Sequence, residues 1–123
     1  MLNFRVQLLR DSGQIGDATA AQVKNLIRFL EESTGTALTE DNAAMLVTHF
    51  AVAVERAYRG ESVNAMENVT RFQVTASPDY PRAESLLDAW LKAENVPFVH
   101  ENERDFLLLH LCVFLENQKR FDA

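Results

Sequence analysis

A neutral imidazole nitrogen near pH 7 can accept a phosphoryl group, ligate a metal or move a proton. Two of the three histidines in this chain, His49 and His110, sit inside apolar runs that share one pattern. "LVTHFAVAVE" (Leu46–Glu55) and "LLLHLCVFLE" (Leu107–Glu116) both read apolar, apolar, any residue, His, then an apolar run closed by Glu. On a helix, residues three and four apart are neighbours. His49 is thus flanked by Met45, Leu46, Val52 and Ala53, and His110 by Phe106, Leu107, Val113 and Phe114. Both rings are expected on a buried or interface face. The plain structural alternative is a pair of packed histidines whose ring nitrogens bond to nearby backbone or side chains. Periodicity does not choose among these roles.

Four further residues bear on the choice. Arg56 follows His49 by seven positions, about 10 Å along a helix. It can meet a phosphate on a neighbouring helix or chain, or form an ion pair with a carboxylate. Glu103 precedes His110 by the same interval. It can orient a histidine by accepting from a ring N–H, or stand as a plain surface carboxylate. His49, His110 and Glu103 together would make a two-His, one-Glu zinc set, although no His-x-x-x-His spacing supports one. Cys112 lies two residues from His110, on a different helix face, which argues against a nucleophilic pair. His100 follows a proline-containing break and is expected to be exposed.

Composition narrows the partners. Twelve Lys and Arg against eighteen Asp and Glu give a net charge of −6. Such a chain is a poor candidate for gripping a phosphate backbone, where basic side chains supply affinity. The single cysteine points to a reducing compartment. No long apolar leader opens the sequence and no apolar run approaches a bilayer span, so the expectation is a cytoplasmic protein without membrane insertion.

The elements that must position these residues read as helices. Residues 1–16 are ambiguous: Leu2, Phe4, Val6 and Leu8 alternate like a strand, whereas Leu2, Val6 and Leu9 fit a helix. With no strand partner elsewhere, a short helix or irregular extension is the reading, ended by "DSGQIGD". Asp17 or Thr19 can cap a helix over 20–33 that Gly35 ends, and Thr39 can cap one over 40–59 that Gly60 ends. A short helix fits within 63–75, Pro81 opens another through Lys92, and a long one runs from Glu101 to about Lys119. The expectation is an all-α compact bundle of about five helices, with one domain over 17–123 behind the extension.

Laid out this way, "GTALTEDNAAMLVTHFAVAVERAYRGESV" resembles the first half of a PRD, the phosphotransferase-system regulation domain of bacterial antiterminators and activators. In that family a His opens a run of the type His-φ-x-φ-Ala-φ-x-Arg, with φ apolar; here it is His49 to Arg56. "ENERDFLLLHL" resembles the second signature, a Glu seven residues before a His, and "DYPRAESLLDAWLKAENV" the helix before it. The resemblance runs from about Asp17 to Arg120. Two departures stand out: Thr48 replaces the Asp that often precedes the first His, and no Asn closely follows His110. No nucleic-acid-binding domain accompanies the module in this sequence.

The resemblance implies a non-enzymatic regulatory module, all-α, PRD-like and homodimeric. Its histidines, His49 and His110, would be phosphorylated by a phosphocarrier protein or a sugar-permease subunit, with Arg56 and Glu103 as supporting residues. Phosphorylation would control dimerisation or partner binding in carbohydrate-linked gene regulation, with no cofactor and no direct contact to nucleic acid. The alternative is an interaction or structural protein that keeps the fold without phosphorylation, and a lesser one is a small metal-binding enzyme.

Overall fold

The computed structural model describes residues 2–97 and 99–122, the stretch from 119 as backbone only. Met1, Phe98 and Ala123, which fall within the two expected segments, lie outside the described residues. Six helices and no strand are found among the described residues: α1 (Leu2–Asp11), α2 (Asp17–Thr34), α3 (Glu40–Arg59), α4 (Asn68–Thr75), α5 (Tyr80–Glu94) and α6 (Glu101–Asp122). None is long and apolar enough to cross a membrane. The chain is all-α, with one helix more than the five or so expected.

The added helix is α1. Its apparent strand alternation is coincidental, because Phe4 and Leu8 are exposed while Leu2 and Val6, four residues apart, are buried. Leu2, Val6 and Ile15 belong to the same core as the rest of the chain. The first sixteen residues are therefore part of the bundle and not an extension. The turn that ends α1 also contributes, since Ile15 drops into the core between Gly13, at φ +82°, and Gly16.

Helix α3 is the centre of the arrangement, packing against α6, α1 and α2, while α5 lies against α6 and α2, and α4 against α6. Local signals define its ends. The Thr39 side chain accepts from the Asn42 N–H and the Asn42 side chain accepts from the Thr39 N–H, a reciprocal capping box. Glu40 and Asp41 lie in the first turn, where a helix favours negative charge, and Gly60 closes the last turn in the left-handed region at φ +70°. The buried stripe of α3 (Ala43, Leu46, Val47, Phe50, Ala53 and Val54) meets that of α6. Trp90 of α5 also reaches this core, its ring edge-on to Phe50 of α3 at 5.7 Å.

The start of α2 departs from expectation. Neither Asp17 nor Thr19 caps it; the N-cap is Gly16, which offers no side chain. Glu55 of α3 supplies the cap instead, its Oε1 accepting from the Gly16 N–H at 2.7 Å and from the Thr19 hydroxyl at 2.8 Å. Burial raises the Glu55 carboxyl, but the bonds from Gly16, Thr19 and Arg59 outweigh it and leave the pKa below its ordinary value. The cap therefore contributes fully at neutral pH and is lost as acid protonates it. Replacing Glu55 with Ala removes acceptors from two buried or terminal donors. It should cost about 1–2 kcal/mol in urea unfolding, whereas an unchanged midpoint would show the cap to be idle.

Candidate functional site

The two histidines meet. With about 100° per residue on a helix, His49 falls at one edge of the α3 stripe centred near Phe50, and His110 at one edge of the α6 stripe centred near Leu111. Antiparallel packing brings these edges together, and the imidazoles stack with centroids 4.0 Å apart and planes 13° from parallel. Of the buried or interface face expected for both rings, the structure shows the margin: His49 is exposed and His110 half-buried. Met45 and Val113, beside them, are exposed too.

The same register places the supporting residues. Seven residues C-terminal to His49 and seven N-terminal to His110, Arg56 Nη1 donates to Glu103 Oε1 at 3.2 Å. They pair with each other and not with a ring. Glu103 is 6% exposed, so it is no surface carboxylate, and its Oε2 is buried without a hydrogen bond. Two turns the other way, Asn42 and Asn117 line a cavity of about 160 Å³ that also borders His110. The contact edge of α3 and α6 thus carries polar residues at seven-residue intervals: His49 stacked on His110, Arg56 bonded to Glu103, and Asn42 and Asn117 bordering one cavity. The two asparagines were missed in the sequence, yet their seven-residue offsets from the histidines were there to be used.

The set His49, His110 and Glu103 does not assemble, since Glu103 lies two helical turns, about 10 Å, from His110. Among the described residues no group of three His, Cys, Asp or Glu is placed to hold a metal. Cys112 is buried, and burial pushes its thiol up, away from thiolate reactivity. His100 is exposed and has a structural task, its Nδ1 accepting from the Asn102 N–H at the first turn of α6. Thr48, the departure next to His49, accepts a long bond from Arg5 of α1, whose guanidinium also clamps Glu40.

What remains at the stack is two accessible imidazoles. Among the described residues no hydrogen bond engages either ring, and each ring lies stacked against the other. Burial first, and the charge on His49 second, push His110 down to about 4. His110 is therefore a neutral base at pH 7, and its lone pair is free of any protein donor.

A lowered histidine pKa has a defined signature. Above the ordinary value of 6.5 neither folded nor unfolded His110 is charged; between 6.5 and about 4 only the unfolded chain takes up the proton. Stability should fall as pH drops through that range, and His110→Gln should flatten the slope, read as urea midpoints at a series of pH values. Equal slopes in the two proteins would show that His110 titrates normally. No family model, curated protein or solved structure matches the chain.

Proposed function

We propose that this chain is a regulatory, non-enzymatic PRD-like module in which the His49–His110 pair receives phosphoryl groups from a phosphocarrier protein or sugar-permease subunit of the phosphotransferase system. The observation that carries the reading is the stack itself, one exposed ring lying 4.0 Å from a half-buried one, with neither hydrogen-bonded. An acceptor nitrogen must present its lone pair in line with a phosphorus held by another protein, and exposure favours His49 as the first acceptor. The donor's phosphorus–nitrogen bond breaks as the new one forms, so the transfer needs no further reagent.

The consequence is electrostatic. A phosphoryl group adds up to about two negative charges, and on His49 it would sit beside the His110 ring. Nearby anions favour the protonated imidazole, so His110 would rise from about 4 and supply the counter-ion that Arg56, held by Glu103, does not. Phosphorylation would then set a negative charge against a His110 ring that is otherwise neutral at pH 7, drawing the two towards an ion pair. That changes the surface bounded by Met45 and Val113, where a second copy or an effector would respond. This is the step that would link phosphorylation to dimerisation or partner binding in carbohydrate-linked regulation.

One observation favours a second reading, an interaction protein with the same fold and no phosphorylation. Arg56 is committed to Glu103, and Thr48, in place of an acidic residue, is bonded to Arg5. The readings separate on one experiment. The chain is incubated with phosphoenolpyruvate and the general phosphotransferase proteins, and acid-labile phosphate is located by mass spectrometry at alkaline pH. The first reading predicts label on His49, lost in His49→Asn and kept in His110→Asn. Absence of label on both rings would overturn it in favour of the second.

A further inference from the structure

The face that carries the histidine stack is built from α3 and α6, with α1 beside α3 and α4 beside α6. Among the described side chains of these four helices there is no lysine, and every arginine is already engaged. Arg5 and Arg10 of α1, Arg56 and Arg59 of α3, Arg71 of α4 and Arg104 of α6 each form an ion pair with a carboxylate of this chain. The reverse holds for two carboxylates next to the stack. Asp41, one turn before Met45, borders the cavity that His110 also borders, and its side chain has neither ion pair nor hydrogen bond among the described residues. Glu116 borders the cavity between α4 and α6; it accepts from the Ser77 hydroxyl but meets no cation among the described residues. Both are exposed.

Apolar surface links the two carboxylates. Met45, 67% exposed, lines the first cavity, and Val113, 45% exposed, lines both. Such a surface has a defined complement. The Met45 and Val113 side chains shed water favourably only against another apolar surface. Asp41 and Glu116, at the rim, attract cations and repel anions. A phosphoryl group arriving at His49 brings up to about two negative charges to a face whose own arginines are tied down. A donor with an acidic contact surface would be repelled throughout its approach. One with cations around its phosphoryl group would be drawn in by the rim and would screen that group as it arrives.

We propose that the phosphoryl donor docks on this face through an apolar contact ringed by Lys or Arg, its apolar part over Met45 and Val113 and its basic ring over Asp41 and Glu116. The proposal rests on the phosphotransfer reading above and adds to it the chemistry of the docking partner.

Docking is measured apart from the chemistry. The unphosphorylated phosphocarrier protein and the unphosphorylated permease subunit are each titrated into the intact chain while the Met45 methyl and the His49 ring are followed by NMR, and the rate of His49 labelling is measured in parallel. For the donor that labels His49, the expected result is a saturable shift of both signals that weakens about tenfold between about 50 mM and about 500 mM salt. Asp41→Lys and Glu116→Lys should each lower the second-order rate of labelling about tenfold at low salt, with the rate at saturating donor unchanged. The neutral variants Asp41→Asn and Glu116→Gln, which disturb the helices less, should fall between these and the parent. Lys24→Glu, an exposed change on α2 outside this face, should alter the rate by about twofold or less. Labelling at one rate in the parent and all four rim variants, and at both salt concentrations, would overturn the docking proposal and leave the phosphotransfer reading standing. A salt-sensitive shift without label would keep the docking face and remove the transfer. Neither shift nor label would overturn both.

Discussion

The antiparallel contact between α3 and α6 is the constraint on which the rest of the molecule depends. These two helices carry the largest share of the fully buried side chains, and every other helix packs against at least one of them. Their register is fixed by two kinds of information. Apolar stripes set which faces meet, and the polar pairs along one edge set the sliding position. A shift of one residue would part His49 from His110 and leave the buried Glu103 without Arg56. An uncompensated buried carboxylate is costly, so the edge discriminates against wrong registers even where it adds little net stability.

That edge also explains how one sequence pattern yields both a core and an accessible pair of rings. A residue about 100° from the centre of a buried stripe is neither inside nor fully in water. His49 and His110 occupy that margin, close enough to the core for His110 to be held neutral and open enough for His49 to be reached. Arg5 adds a tie from α1 to both ends of the same stretch, bonding Glu40 and Thr48. The N-terminal helix is thereby coupled to the residue adjacent to His49, which makes it part of the setting of the site.

Much of this was legible in the sequence. Thr39, Gly35 and Gly60 marked helix ends that the backbone adopts, and the 40–59 helix was readable to the residue because cap, stripe and stop signal agreed. The matched frames of His49 and His110 were visible, but that the two rings stack was not. Other features were hidden because they rest on contacts between distant segments. Glu55 looked like the end of an apolar run, yet it caps another helix thirty-nine residues away. In α1 a period of two and a period of four were superposed on nine residues, and only packing against α3 selects the helix. The choice between a buried and an interface position for His49 was hidden because flanking apolar residues do not say how far the ring lies from the centre of the stripe. Arg56 and Glu103 stood out in the sequence by their seven-residue offsets from the histidines, and in the structure those offsets bring them to each other and not to the rings.

The central claim is that the α3–α6 register holds His110 as a neutral, unbonded imidazole against an exposed His49. It is tested most directly by following the ring nitrogens of each histidine by long-range proton–nitrogen NMR through an acid titration. The account predicts that the His110 ring stays neutral well below the ordinary range and protonates at about 4. It also predicts through-space contacts between the two rings. A His110 midpoint at 6.5, the ordinary value, without contact to His49, would contradict it.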